Sequence, residues 1–501
     1  MSRSKMFAFN SLSAAIYQII IMIVGFITPK VMLDVYGSEL NGLITSISQF
    51  INYFSLVEAG LSGAAIYALY KPLANKNWDD ISGIVVATKH FYNVSGIIFS
   101  TLVVSLSICY PFFVNTDKLD LLSISFLVLV LGGTGALDFF SMGKYRALLT
   151  ADQKLYVISW SSAISLIINT VIIVILSYLR VNIVIVRLAA LSSIVLRSIM
   201  LSVYVKRNYK INYNIAPCNS ALDKRWDALY LQILGSIQTG APVILATIFT
   251  SLKEISVFSI YMMVIGGITG VLSIFTTGLS SSFGDVIARD EKEVLQKSFQ
   301  EFETLLYMII TFIFGMTFIT IVQFVHVYTK NITDANYINE LLAFLITLNA
   351  LLYNLKTPQG MLIISAGHYR ETRLQTTIQG LIMVIGGIIL AYSWGLYGIM
   401  IASILSNIYR DIDLLFYVPN KITGLPIKTT LKKWCMIAIE LCFIMMISKV
   451  IHFSITNIVD WIVMAVCYSI ISGVIIFLIS FIFDRNQIKS LFNRLKILIG
   501  R

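Results

Sequence analysis

LVEAGLSGAAIYALYKPLANKNWDDI, residues 56–81, carries a glutamate inside a long apolar segment and closes that segment with Gly-Leu-Ser ahead of a charged loop. The same ending recurs later in the chain. AGLSGAAIYAL at 59–69 aligns with TGLSSSFGDVI at 277–287, an offset of 218. Two further matches keep the order: LLTADQK at 148–154 with IISAGHY at 363–369, offset 215, and SIVLRSIMLSVYV at 193–205 with SNIYRDIDLLFYV at 406–418, offset 213. Three matches in one order, with slowly drifting offsets, describe an internal repeat. Its halves are expected to be six helices each in the same orientation, related by an axis along the membrane normal.

The rest of the chain supports that expectation. Of its 501 residues, 57% are hydrophobic and 13% charged, where soluble domains carry about 25% charged residues. Apolar runs long enough to span a bilayer recur throughout, without the ten-residue alternation of a membrane β-barrel. The fold class expected is all-α, a polytopic membrane protein with about fourteen transmembrane helices. The organisation expected is a six-helix lobe over 1–210, a cytoplasmic linker over 211–227, a second six-helix lobe over 228–420, two extra helices over 430–484 and a basic cytoplasmic tail over 485–501. The second span (40–70) and the eighth (257–284) are long enough to tilt or protrude. The N-terminal apolar run is too long for a signal peptide and has no A-x-A site, so it reads as a retained first helix.

Charge placement sets the orientation. With the N-terminus in the cytoplasm, 27 of the 37 Lys and Arg fall on the cytoplasmic side, 6 on the other and 4 within spans. The bias puts both termini inside and explains the net charge of +11 without a nucleic-acid partner. The cytoplasmic set includes Lys144, Arg146 and Lys154, assigned to the loop after the fourth span. The basic tail is expected against the anionic inner leaflet. Five cysteines without a CxxC pair and four scattered histidines offer no disulfide framework and no metal-ligand spacing. There is no phosphate-binding glycine loop and no catalytic triad, so an enzyme is not expected.

The stretch VYGSELNGLITSISQFINYFSLVEAGLSGAAIYALYKPLANKN, 35–77, resembles the opening of the polysaccharide-type, Wzx-like flippases of the multidrug/oligosaccharidyl-lipid/polysaccharide exporter superfamily. The matching residues are a glycine after the first helix (Gly37), an acidic residue and glycine late in the second (Glu58, Gly60) and a Tyr-Lys-Pro helix end (Tyr70, Lys71, Pro72). The resemblance covers about the first hundred residues. It implies two six-helix lobes around a cavity in the bacterial inner membrane, and alternating access that carries an undecaprenyl-diphosphate-linked oligosaccharide from the inner to the outer leaflet. Capsule or O-antigen assembly, with its polymerase machinery as partner, would be the setting. The competing expectation is a drug or small-cation exporter of the related branch, which has twelve helices.

The charges inside spans are the candidate site residues. Glu58 lies about 18 Å from the inner end of a continuous second helix, near mid-bilayer, where a lipid-facing charge costs about 2.5–3.5 kcal/mol. A watered cavity with proton or sodium coupling, or a structural ion pair, accounts for it. Arg197 and Arg410 occupy matching places in the sixth and twelfth helices. Their planar forks suit a diphosphate, although Asp411 or Asp413 would neutralise Arg410. Asp138, in GGTGALDFF, and Lys356, in YNLKTPQG, fall close together in the repeat beside helix-breaking glycines and Pro358. Asp138 is a second coupling candidate and Lys356 a substrate contact. Gln18 and Gln238 would bond sugar hydroxyls or neighbouring helices. Pro242 would act as a hinge in the seventh helix. No cofactor is expected beyond a coupling ion.

Overall fold

Apolar side chains alone do not choose the helix. The bilayer does, because only a helix satisfies its backbone groups within one segment. In the computed structural model, which describes residues 3–499 apart from 59–60, 115, 219–224, 277–278 and 452, the elements are helical and the described residues contain no strand. The first half runs α1 (Arg3–Phe54), α2 (Leu61–Asn75), α3 (Trp78–Cys109), α4 (Leu121–Leu137), α5 (Gly143–Ala151), α6 (Leu155–Tyr178) and α7 (Ile183–Asn208). Then follow α8 (Arg225–Phe249), α9 (Leu252–Thr276), α10 (Leu279–Ala288), α11 (Lys292–Tyr328), α12 (Glu340–Leu355), α13 (Thr357–Ser365) and α14 (Arg373–Val418). The chain closes with α15 (Ile427–Val450), α16 (Ile458–Phe483) and α17 (Arg485–Ile499).

Ten of the described helical stretches are long and apolar enough to cross a membrane. Two of these each hold two crossings. α1 turns at Gly37 (φ 83°) and α14 at Gly395 (φ 53°), in the left-handed region that glycine enters without a Cβ penalty. Counting those turns, the apolar part of α8 (Ile233–Phe249) and α15, the chain is a multi-pass membrane protein with about fourteen crossings. Large side chains such as Ile97, Leu122, Ile175, Ile389, Ile470 and Ile482 stand exposed where lipid would cover them.

The repeat reappears in the helix limits. α4 and α12 end at Leu137 and Leu355, 218 residues apart. α5 and α13 end at Ala151 and Ser365, 214 apart. One expectation is corrected here: the second span is not a continuous α-helix. α1 stops at Phe54, a 3-10 turn covers Ser55–Glu58, and α2 starts afresh at Leu61. Gly60 and Gly278 lie outside the described residues.

By internal contacts the chain divides into Met1–Ser259 and Ile260–Arg501. In the first unit α8 and the start of α9 are fastened to the second half of α1. Asn41 donates to Ser256 Oγ at 2.8 Å, Ser46 and Thr247 share a 2.7 Å bond, Tyr110 donates to Ser46 at 2.7 Å, and Tyr53 donates to the Ser236 carbonyl at 2.8 Å. Small residues allow the approach: a Cβ on Gly42 would lie 1.8 Å from the Leu252 carbonyl, and one on Gly240 2.4 Å from Gln49 and Tyr53. Gly132 and Gly135, expected as helix breakers, sit inside regular α4. A Cβ there would strike Val103 and Phe99 of α3, so these glycines serve close packing.

In the second unit α15 and α16 pack on α11, with Ile319, Ile444, Met464, Tyr468 and Ile476 as their shared core. α17 docks on the start of α11 through Thr304–Asp484 at 2.9 Å, Gln300–Gln487 at 2.9 Å and Glu301–Ser490.

Candidate functional site

The first unit brings three charges from three elements together. Glu58 ends the 3-10 turn, Asp138 opens a π-helical turn over Asp138–Met142, and Arg146 lies in α5. One guanidinium nitrogen, Nη2 of Arg146, is 2.9 Å from Asp138 Oδ2 and 3.9 Å from Glu58 Oε2. The three side chains are 28–30% exposed. The other oxygen of Asp138 is buried and accepts no bond among the described residues. Two carboxylates therefore share one cation, and the cluster carries a net negative charge at a helix break.

The π turn makes this pairing possible. Eight residues of regular α-helix turn about 800°, which would leave Asp138 and Arg146 about 80° apart. A π turn absorbs one residue without advancing the helix face, so the pair stands about seven steps apart, within about 20° of the same face. Buried Tyr92 supports the turn from α3, and a Cβ on Gly143 would lie 2.3 Å from its ring.

Arg146 is the residue that sequence reasoning missed. It was assigned to a loop, because the apolar run fades at Gly143. Helix continues instead to Ala151, and the arginine turns inward to two acids.

The second unit presents a different chemistry at the equivalent places. Asp138 and Lys356 are the residues that follow the last residue of α4 and of α12, so the repeat sets an acid against a base. Lys356 donates to Asn407 Oδ1 and lies 4.7 Å from the Tyr353 ring. Asn407 is held in turn by Asn349 at 2.9 Å and Gln379 at 3.4 Å. Asp411 is 3% exposed, and neither carboxylate oxygen has a bond among the described residues. Lys356 supplies the opposite charge within its reach. A cavity of about 180 Å³, lined by hydroxyls of Thr269, Ser273, Thr276, Tyr353 and Thr357 with Asn354, borders the break between α12 and α13.

Arg410 is buried and donates to Asp413 at 2.6 Å. Arg197, its counterpart in the first unit, is half-buried and makes no ion pair among the described residues. A further network was not anticipated. Lys433, one residue ahead of the span expected over 434–450, pairs with Glu303 at 2.9 Å, and the two side chains are 6% and 1% exposed. Gln359 and Thr430 also donate to Glu303, and Trp434 donates to Tyr307. The network joins α11, α13 and α15.

The remaining expected residues are placed as follows. Gln18 is half-buried on α1, and Gln238 is half-buried on α8 within a turn of the tyrosine-held Ser236. Pro242 lies inside α8, which continues past it to Phe249. Among the described residues no group of three or more His, Cys, Asp or Glu is arranged to hold a metal ion.

No protein-family model matches this chain, and no curated protein matches it. Solved structures do. The lipid II flippase MurJ in an inward closed conformation is 15% identical with a TM-score of 0.70, covering 96% of this chain and 99% of that one. An inward-facing multidrug resistance MATE family transporter of the MOP superfamily is 15% identical with a TM-score of 0.67, covering 82% and 96%. A MOP superfamily transporter from Pyrococcus furiosus is 14% identical with a TM-score of 0.55, covering 81% and 96%. At these identities the likeness is one of fold, and the fold of this chain is that of the MATE and MurJ structures.

Proposed function

We propose that this chain is a transporter, not an enzyme, and specifically a flippase that moves an undecaprenyl-diphosphate-linked oligosaccharide from the inner to the outer leaflet of a bacterial inner membrane. The observation that carries this is the extent of the fold likeness. The MurJ structure covers 96% of the chain and the MATE structure 82%, a difference about as long as the stretch from α15 to the C-terminus. That greater coverage by a lipid II flippase supports the flippase reading over the twelve-helix exporter. The buried Glu303–Lys433 pair makes α15 integral to the second unit.

In this proposal both termini face the cytoplasm, as the charge bias favours, and the product feeds a polysaccharide polymerase for capsule or O-antigen. Arg197, Arg410, Lys356, Gln18 and Gln238 are the proposed contacts to diphosphate and sugar, and Pro242 a proposed hinge. Glu58 and Asp138 couple transport to an ion. Of the two ions considered, the geometry favours the proton. Nη2 of Arg146 already stands where a sodium ion shared by the two carboxylates would sit, whereas a proton can arrive on either oxygen without displacing it.

The test is leaflet access of a fluorescent undecaprenyl-diphosphate oligosaccharide in liposomes, with a glycan-modifying reagent supplied only outside. Protein-dependent access to the whole lipid pool is expected. Access no greater than in empty liposomes, together with cation-stimulated dye efflux, would replace the flippase with a drug exporter.

A further inference from the structure

Three lysines from three helices of the first unit converge where its positive charge gathers: Lys89 of α3, Lys144 of α5 and Lys206 of α7. Two are stacked on tyrosines. Lys89 Nζ lies 5.5 Å from the centre of the Tyr213 ring, and Lys144 Nζ lies 4.9 Å from that of Tyr145. The two hydroxyls meet at 3.4 Å, and Tyr145 also reaches Ser202 at 3.5 Å. Lys144 lies within electrostatic reach of both Lys89 and Lys206. None of the three makes an ion pair among the described residues.

The segment after α7 builds this shelf. It folds back on the start of α3, with the Asn212 amide donating to Ser82 Oγ at 3.0 Å and the Cys218 amide to the Gly83 carbonyl at 3.2 Å. That return carries Tyr213 to Lys89. The neighbouring cations differ. Lys154 is neutralised by Asp152 at 2.9 Å, and that carboxylate also accepts from Tyr209 at 2.5 Å. Burial and the Asp152 carboxylate push the Tyr209 hydroxyl well above its ordinary value, so it stays a donor. Arg146 belongs to Asp138 and Glu58. Lysines that merely snorkel at helix ends spread apart into solvent. Here Lys89 and Lys144 lie over two tyrosine rings whose hydroxyls meet, with Lys206 in electrostatic reach of Lys144 and no acid paired to any of the three among the described residues, which is how a site for a multivalent anion is built.

From this juxtaposition we infer that Lys89, Lys144 and Lys206, with the Tyr145 and Tyr213 hydroxyls, bind a diphosphate group. The inference rests on the flippase proposal for its ligand, the diphosphate of the lipid-linked substrate, held before it enters the transport path. Lysine acts on phosphate as a point charge with three donors. Three such charges cover the two negative charges of a disubstituted diphosphate, or about three of a monosubstituted one, and exceed the single charge of a phosphodiester further. A free soluble diphosphate has the same chemistry, and the source is decided by measurement.

The experiment uses the full chain in nanodiscs of zwitterionic lipid and three probes: inorganic diphosphate in solution, farnesyl diphosphate in the bilayer, and phosphatidylglycerol in the bilayer. Farnesyl diphosphate is expected to bind at least tenfold more tightly than phosphatidylglycerol. K89Q/K144Q/K206Q is expected to weaken it tenfold or more, and K89R/K144R/K206R to restore most of the loss. K118Q/K253Q serves as the charge control and should bind as wild type. Inorganic diphosphate binding more tightly than the bilayer probe would assign the same site to a soluble ligand. Should the triple glutamine variant fail to insert, K206Q at the exposed lysine is expected to lose affinity severalfold. Affinity within twofold of wild type for the triple variant, or for both K206Q and K144Q, overturns the site.

The outcome is separable from the flippase proposal. Lysine-dependent binding by a protein that flips nothing would leave the site standing and remove its proposed transport role. Intact flipping with lysine-independent binding would do the reverse.

Discussion

The two units place their charges in opposite settings. In the first, Glu58, Asp138 and Arg146 meet at a helix break, each close to 30% exposed, with one carboxylate in excess. In the second, Glu303 and Lys433 are sealed at 1% and 6%, and Arg410 and Asp413 at 9% and 17%. A sealed pair with its remaining bonds satisfied holds helices together, and losing one partner strands the other. An accessible, unbalanced cluster holds little but can gain or lose a proton or a ligand. The cluster of the first unit is arranged for exchange and the sealed pairs of the second for cohesion.

The largest expected effect tests the sealed pairs. Lys433→Met leaves Glu303 buried and unpaired, which costs about 3–5 kcal/mol. Thermal unfolding of the purified protein should fall clearly, and Glu303→Gln added to it should restore most of the loss. A melting temperature unchanged by Lys433→Met would end the contrast. Next, Arg146→Ala should slow flipping about a hundredfold, about 2.7 kcal/mol, while leaving the melting temperature near wild type. Unfolding as marked as that of Lys433→Met would move this cluster to the structural side.

The matched arginines sharpen the comparison. Arg410→Met deprives Asp413 of a charge-assisted bond and should destabilise by about 1–3 kcal/mol. Arg197→Met should leave the melting curve in place and reduce transport severalfold. Equal behaviour of the two variants in both assays would erase the distinction. The smallest effect is Glu58→Gln, expected to slow transport about twofold, about 0.4 kcal/mol, with membrane insertion intact. Normal transport by a well-inserted Glu58→Gln protein removes this carboxylate from coupling.

Much of the scaffold was legible in the residues. Hydropathy located the crossings, Gly37 marked the first turn, and the repeat offset of 218 matched the ends of α4 and α12. Charge partners were far less legible. Arg146 and Lys433 fell outside the expected spans because a hydropathy profile ends where charge begins, whereas the helix ends where its backbone bonds do. Asp138 and Arg146 are also spaced wrongly for a common face in a regular α-helix, and nothing in DFFSM announces the π turn that realigns them. Glu58 was recognised as costly, but its position in a 3-10 turn rather than at mid-helix depends on the tertiary contacts of that turn.

That π turn has a consequence for how this sequence tolerates insertion and deletion. In most helices a one-residue deletion rotates everything downstream by about 100° and scrambles which side chains face the protein. Between Phe139 and Met142 the helix holds a residue to spare. Removing one there would restore regular α geometry while keeping Arg146 on the side of Asp138. The site is therefore a place where relatives can differ in length by one residue and preserve the same ion pair, so an alignment that forces the two charges into a fixed spacing would separate them.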